Sequence, residues 1–524
     1  DKAIHYYSLA ANQNHLKSMF NLGMIYYKGE YVSRDINKAI HYFSLAANLD
    51  SPNAQFLLGS IYLEGSYVSR NIDKAIYYLK LAANQKMPEA QFYLGIIYYD
   101  NKYASFDIEK AIHYLSLAAK NNIAEAEFYL GKIHYTGHYV PKDIYRAIYH
   151  LSHAAEQNHP EALLYLGLIY YTGRDIKTNI SKAIHYFSLA ASMNNSDAQY
   201  NLGVIYYTGR DIPMDIEKAI HYFLLAASMN NPDALYNLGV IYYSGKYMKS
   251  DVNKAIRYFT LASYQNHCIA QYTLGMLYLN GIYGVKYIKK GLYFMELSAL
   301  NRNFNAYFVI GSIYHEGIFI KRDINKSIYY YKNAASLNNQ YAKNNLGIIY
   351  RHGSGDVFHR NAANSIEFFK EAIHQKKDEV SMYNLAHIYL YEEFGKERID
   401  NSIELLIESS NLGFQPSKYL LCIALIKKYG SDLRTLKEEL SKFANIPIHL
   451  LVNILEIFNY LNLYNKASFE ELYECYRVND YIYNYNYEVI RYKDFIQVKE
   501  ETQLRDPHLH GINALFYEGF GLEI

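Results

Sequence analysis

Apolar residues recur along this chain with the period of a helix, twice in every 36 residues. In residues 231–265, NPDALYNLGVIYYSGKYMKSDVNKAIRYFTLASYQ, the positions Ala234, Leu238, Ile241 and Tyr242 are spaced by four, three and one. That spacing makes one stripe of a helix running from about Asp233 to Tyr243. Gly245 follows, where a residue of left-handed conformation closes a helix. Its equivalents are Gly29, Gly65, Gly137, Gly173, Gly209, Gly281, Gly317 and Gly353, with Asn101 filling the one gap. A second helix is predicted to start after Asp251, whose side chain suits an N-cap, and to run through KAIRYFTLA into a turn rich in Asn and Gln. Asp35, Asn71, Asp107, Asp143, Asn179, Asp215 and Asp323 stand at the same place. The unit is a helical hairpin about 36 residues long.

A glycine inside the first helix marks the period. It falls at Gly23, Gly59, Gly95, Gly131, Gly167, Gly203, Gly239, Gly275, Gly311 and Gly347, always 36 apart. Ala386 and Cys422 continue the series after a three-residue slip around GSGDVFHR. A constant period of this size marks a repeat array, whatever the length suggests about domain number. The predicted fold class is all-α, a solenoid of about twelve 36-residue helical hairpins spanning residues 1–429. Residues 430–524 lose the period and read as an atypical helical C-terminal segment that ends the array. Phe516 and Gly519 echo the end of a first helix, so a further repeat is expected to start near 510–524.

Glycine inside a helix costs roughly 0.5–1 kcal/mol against alanine, so the array must recover that loss in close packing. Small residues of the second helix, such as Ala39 and Ala46, are the expected neighbours. The tyrosine three residues on (Tyr26, Tyr62, Tyr98, Tyr170, Tyr206, Tyr242, Tyr278, Tyr314, Tyr350, Tyr389) shares the stripe with the leucine before the glycine and reads as core. Only His134 breaks that column.

Charge narrows the partners. The 524 residues carry 52 Lys and Arg against 51 Asp and Glu, a net charge of +1. Nucleic acid and anionic membrane surfaces demand a basic face, and no basic run is present. No stretch approaches the roughly 18–20 uninterrupted apolar residues of a spanning helix, so no membrane insertion is expected. Cys268, Cys422 and Cys475 are too scattered for a disulfide framework, which leans the compartment towards a reducing one; cytoplasm and endoplasmic-reticulum lumen both stay open. Sequons stand at Asn179, Asn194 and Asn325. The chain opens at DKAIHYY, partway through a repeat and without an initiator Met, and so reads as an excerpt.

The combined motif AQYNLGVIYYTG (198–209) followed by DIEKAIHYFLLAA (215–227) resembles the Sel1-like repeat, a relative of the tetratricopeptide repeat. The resemblance covers about residues 1–429 in twelve units. The aromatic pair that often begins with Trp in the family is Tyr42-Phe43, Tyr78-Leu79 or Tyr186-Phe187 here, and the per-repeat disulfide of some bacterial members is missing. The resemblance implies a right-handed α/α superhelical solenoid whose concave surface is lined by the first helices. It also implies an adaptor role, with one branch of the family recruiting substrates in endoplasmic-reticulum-associated degradation.

No HExxH, P-loop, GxSxG or paired CxxC occurs, so neither enzymatic activity nor a cofactor, metal or small-molecule substrate is expected. His5, His41, His113, His185 and His221 recur at one site of the second helix, interrupted by Tyr77 and Tyr149. Stacked repeats lie about 10 Å apart, whereas zinc needs ligands at about 2.0–2.1 Å, so this column reads as a solvated ladder. The residue after the core tyrosine is the better binding candidate: Tyr27, Tyr99, Tyr135, Tyr171, Tyr207 and Tyr243, changing to Leu279, His315 and Arg351. Seven residues earlier stand Phe92, Tyr200, Tyr236 and Tyr272, on the same helical face, with Asn201 and Asn237 beside them. Two readings of these rings stand: an aromatic groove for peptides, or filling between repeats. A single specific site is expected around residues 270–355.

The function expected is a non-enzymatic scaffold or adaptor that binds partner proteins or peptides on its concave face. Two alternatives are a substrate-recruitment subunit of a ubiquitin ligase in endoplasmic-reticulum-associated degradation and the regulatory array of a larger protein kinase.

Overall fold

The computed structural model describes residues 2–441 apart from 31, 104–105, 210–211, 282–285, 354–359, 376, 392–396 and 431–432. Among the described residues every regular element is a helix, and the helices alternate between first and second members of hairpins. The chain forms two compact units, Asp1–Ala234 and Leu235–Ile524. In the first, a second-type helix, Lys2–Asn12, precedes six hairpins. Their first helices are Leu16–Lys28, Pro52–Glu64, Pro88–Tyr99, Ala124–Thr136, Pro160–Thr172 and Ser196–Thr208. The matching second helices are Ile36–Asn48, Ile72–Asn84, Ile108–Ala119, Ile144–Glu156, Ile180–Ser192 and Ile216–Ser228. The second unit opens within Pro232–Ser244 and continues with Val252–Tyr264. Then come the pairs Cys268–Asn280 and Ile288–Leu300, Phe304–Glu316 and Ile324–Ser336, Gln340–His352 and Ala362–Gln375, and Glu379–Tyr391 and Glu397–Asn411. Gln415–Tyr429 and Leu433–Ser441 close the described chain. Residues beyond 441, with the repeat start expected near 510–524, lie outside the described residues.

Local chemistry sets each boundary. The carboxylate of Asp35 accepts from the Lys38 backbone N–H at 3.0 Å. Asn71, Asp107, Asp143, Asn179, Asp215, Asp251 and Asp323 cap their helices in the same way, each worth about 1 kcal/mol. First helices close on left-handed glycines, as at Gly29 (φ 70°) and Gly209 (φ 57°). The expected equivalent at Asn101 is not formed: that helix ends at Asp100 with an extended φ of −88°, and the Asn101 side chain donates to the Tyr139 hydroxyl at 3.0 Å. The Asn-rich turns have a backbone reason. Asn14, Asn122, Asn158, Asn194, Asn230, Asn266 and Asn338 all sit near φ +60°, where Asn is the best-tolerated non-glycine residue, and Lys86 and Arg302 are forced into the same conformation.

The glycine of the first helix faces a large side chain, which corrects the expectation of alanine neighbours. A Cβ on Gly23 would lie 2.5 Å from the Phe43 ring, one on Gly59 2.6 Å from Leu79 and one on Gly203 2.5 Å from Phe223. The bare Cα lets the big apolar residue of the second helix lie flat against the first. Ala39 and Ala46 are fully buried too, and at Gly59 the carbonyl of Ala75, the counterpart of Ala39, lies behind the Leu79 side chain at 3.3 Å. The core tyrosine column is half-buried more often than buried, and it has a precise partner. Tyr26 stacks on Tyr42 (5.9 Å, 4°), Tyr206 on Tyr222 (5.8 Å, 4°) and Tyr314 on Tyr330 (5.8 Å, 8°). A lysine of the second helix lies over the outer tyrosine, as Lys38 over Tyr26 at 5.1 Å and Lys218 over Tyr206 at 5.3 Å. The cap residue donates its backbone N–H to the same tyrosine's carbonyl, as Asp35 to Tyr26 at 3.0 Å.

Candidate partner-binding face

A first helix is walled on one side by its own second helix and on its flanks by neighbouring repeats. One side stays open: the positions six and two before the mid-helix glycine and one and five after it, a spacing of four, three and four that keeps to one face. On Pro88–Tyr99 these are Glu89, Tyr93 and Ile96, with Asp100 just past the end. On Ala124–Thr136 they are Glu125, Tyr129, Lys132 and Thr136. On Pro160–Thr172 they are Glu161, Tyr165, Leu168 and Thr172, and on Ser196–Thr208 Asp197, Asn201, Val204 and Thr208, of which Val204 is buried. Glu89, Glu125, Glu161 and Asp197 are exposed, while Tyr93, Tyr129 and Tyr165 form the half-buried floor beside them.

The predicted tyrosine column supports that floor. Tyr99 lies edge-on to Tyr129 of the next repeat at 5.7 Å, and Tyr135 to Tyr165 at 5.4 Å. Phe92 meets Tyr129 at 6.1 Å and Phe128 meets Tyr165 at 5.6 Å. Tyr171 and Tyr207 turn instead to the phenylalanine of their own second helix, Phe187 at 6.4 Å and Phe223 at 6.5 Å. Tyr99, Tyr135, Tyr171 and Tyr200 are half-buried and Tyr207 is buried, so the second tyrosine of the motif is a wedge between repeats rather than an exposed row. Burial raises the pKa values of Tyr99, Tyr129 and Tyr165 above the ordinary phenol value. Asn201 lies in the open column itself and donates to the Asp197 carbonyl at 2.7 Å. Sequence reasoning missed Tyr93, Tyr129 and Tyr165; their signal was a third tyrosine column two residues before the glycine.

The same columns close up in the second unit. Tyr236, Asn237 and Arg351 are buried, and Tyr243 is half-buried with its pKa raised by that burial. Tyr236 stacks on His267 at 4.9 Å and packs on Phe259 at 5.6 Å. His315 lies against Tyr331 at 6.3 Å, and burial, with the Arg322 charge second, pulls its pKa down to about 4. Arg351 is 2.6 Å from His387 Nδ1. Asn345 donates to the Tyr331 hydroxyl and that hydroxyl to Ser312, each at 3.1 Å, while Asn344 accepts from Ser381 and Asn384 at 3.1 Å. Around 270–355 the interior is an apolar cluster, with Phe308, Ile310 and Leu346 fully buried, threaded by these buried polar bonds, and His315 and Arg351 are set on separate neighbours within it.

One hairpin replaces its stacked tyrosines together. His134 stacks on His150 (6.0 Å, 7°), and His150 Nδ1 is 2.6 Å from Glu127 Oε2. Glu127 stands where other repeats have a buried glutamine, such as Gln55, which donates to the Ala47 carbonyl at 3.2 Å. His5, His41, His113, His185 and His221 are all exposed on second helices, each beside its own repeat's tyrosine. Among the described residues no group of three or more His, Cys, Asp or Glu could hold a metal ion, and no helix is long and apolar enough to cross a membrane.

Comparison with known proteins agrees with this architecture. The family model described as Sel1 repeat matches residues 1–15, 16–51, 52–87, 88–123, 124–159, 160–195, 196–231, 232–267, 268–303, 305–339, 340–376 and 380–414. Among solved structures, a protective antigen of uropathogenic Escherichia coli strains displaying an SLR fold is similar at 21% identity and a TM-score of 0.52. That match covers 86% of this chain and 97% of the antigen. A Sel1 repeat protein from Oxalobacter formigenes is 27% identical with a TM-score of 0.48, over 58% of this chain and 88% of its own. The search of curated proteins gave no match.

Proposed function

We propose that this chain, which belongs to the Sel1 repeat family, is a non-enzymatic scaffold that holds partner proteins or peptides against the open face of its first helices. Sel1 repeat proteins generally act as protein-interaction scaffolds. The observation that carries the reading is the continuous aromatic floor of Tyr93, Tyr129 and Tyr165, held by Tyr99 and Tyr135 and left uncovered by the hairpins themselves. Tyrosine offers large contact area with a polar tip at low entropic cost, which suits binding to many side-chain types. Tyr171, Tyr200 and Asn201 extend this surface at its end, with Tyr207 as support beneath. In the second unit Tyr243 is the half-buried member of the same column, while Tyr236, Asn237, His315 and Arg351 act as packing that shapes it.

The test is a capture from lysate by three proteins: the native chain, Tyr93→Ser/Tyr129→Ser/Tyr165→Ser, and His113→Ala/His185→Ala/His221→Ala on the second helices. Circular dichroism on each checks the fold. The tyrosine variant should keep its helicity and lose its partners while the histidine variant keeps both. Loss of partners from the histidine variant alone would place binding on the other face. A recruitment role in the endoplasmic reticulum has its own readout. Asn194 sits in an exposed turn at φ 59°, whereas Asn179 is committed to a helix cap and Ser327 of the third sequon is buried. A glycan on Asn194 in the native source would support that role.

A further inference from the structure

We infer that the open face of residues 88–208 is built for one class of partner, an extended protein segment with lysine or arginine at about every third position. This inference rests on the scaffold reading above and names the occupant. On the sixteen positions of this column set in those four repeats stand Glu89, Asp100, Glu125, Glu161 and Asp197 against the single cation Lys132. The whole chain is balanced at 52 basic and 51 acidic residues, so this imbalance is local. Glu89 forms no ion pair among the described residues, Glu125 acts on His159 through space, and Asp100 faces the Lys102 ammonium at 4.0 Å. Glu161 lies 3.3 Å from His159, and Asp197 accepts from the Asn231 amide at 3.0 Å, each keeping a carboxylate at the edge of the tyrosine floor.

The molecule already shows how such a site would hold a cation. In the same unit Lys142 lies 5.6 Å over the Tyr135 ring while its ammonium meets the Asp175 carboxylate at 2.6 Å. Lys110 does the same between Tyr98, at 5.5 Å, and Asp107, at 2.6 Å. A tyrosine face next to a carboxylate is therefore a recurrent lysine seat in this fold, and three successive hairpins repeat that pairing on the open face, as Glu89 with Tyr93, Glu125 with Tyr129 and Glu161 with Tyr165. Repeats stacked about 10 Å apart match about three residues of extended chain at roughly 3.3 Å each, which fixes the spacing of the partner's basic residues. Asp233 continues the acidic column on Pro232–Ser244, and beyond it Ile269, Asn305 and Tyr341 carry no charge, so the column ends there.

The test uses the full chain and a fluorescein-labelled 15-residue peptide with arginine at every third position between serines, read by anisotropy at low and physiological salt. A matched peptide with glutamate replacing arginine is the control ligand. Two variants remove equal charge: Glu89→Gln/Glu125→Gln/Glu161→Gln on the open face, and Asp73→Asn/Glu109→Gln/Glu217→Gln at exposed starts of second helices. The expected result is binding of the arginine peptide alone, weakened about tenfold or more by the open-face variant and less than about twofold by the other, with a fall as salt rises. Equal losses in the two variants would make the attraction a property of overall charge and overturn the inference. So would failure of the native chain to bind the arginine peptide; in that case the scaffold reading still stands or falls by the capture experiment with the tyrosine variant.

Discussion

Asn201 and Asn345 hold the same place in their hairpins, two residues before the mid-helix glycine, and they live in different surroundings. Asn201 lies half-buried on an open face and bonds only its own helix, at the Asp197 carbonyl. Asn345 is fully buried and donates to the Tyr331 hydroxyl, which passes the chain of hydrogen bonds to Ser312. The contrast extends along the two units. From Glu89 to Thr208 the first helices show tyrosine rings edged by carboxylates. From Phe304 to Tyr391 the equivalent surface is sealed by Asn, Ser, His and Arg bonded to one another. The hairpin frame is shared by both, with Asp or Asn caps, left-handed turns and a glycine under a large side chain, though the second unit relaxes it at Tyr287, which makes no side-chain cap, and at Ala386 in the glycine's place. Binding capacity in such an array is decided by the few positions per repeat that the frame leaves uncommitted.

The largest expected difference between the units is in pH dependence. His315 has its pKa pulled from the ordinary value to about 4 by burial, so the unfolded chain takes up its proton before the folded one. Its contribution is therefore complete above about pH 6.5 and is lost as pH falls from there to about 4, on the order of 3 kcal/mol in all. His387 is depressed in the same direction. Hydrogen exchange at pH 7 and pH 5 should show the second unit loosening first around Phe304–Glu316, and His315→Phe should flatten that response.

Glycine substitutions come next. Gly311→Ala drives a Cβ within 2.7 Å of the Tyr331 ring and displaces the hydroxyl network with it, for a loss of about 3 kcal/mol. Gly203→Ala meets the Phe223 ring at 2.5 Å and should lose about 2 kcal/mol, part of it offset by alanine's better helix propensity. Urea titrations with a reporter in each unit would show the order. Asn345→Ala, which strips a buried hydroxyl of its partner, should cost about 2 kcal/mol, and Asn201→Ala less than about 0.5 kcal/mol. Equal losses at the two asparagines would erase the distinction between an open and a sealed face. The smallest effect tests the shared frame. Lys86→Gly and Arg302→Gly relieve left-handed side chains at φ 63° and 61° and should each stabilise by about 0.5 kcal/mol, alike in both units.

Much of this frame was legible beforehand because periodicity and capping are properties of single residues in sequence. A constant 36-residue step, Asp at one boundary and Gly at the other locate the helices without any tertiary knowledge. What could not be read was which of several adjacent tyrosine columns faces outward. Tyr93, Tyr98 and Tyr99 are all aromatic neighbours on one helix, and their fates depend on rings of other helices, Phe56, Tyr114 and Tyr129 respectively. Nor could the mid-helix glycine name its partner, since alanine and phenylalanine of the second helix are both near in sequence terms and only the packing selects Phe43. The change at His134 stands out in the sequence, but only the stack shows that His150 answers it.

The most direct measurement is hydroxyl-radical footprinting of the full chain, alone and with a captured partner, read at individual tyrosines by mass spectrometry. Tyr93, Tyr129 and Tyr165 should be modified in the free chain and protected in the complex, while the buried Tyr331 stays unmodified in both. Protection that appears instead at exposed Tyr77 and Tyr149 on the second helices, with the floor tyrosines unchanged, would contradict the assignment of binding to the open first-helix face.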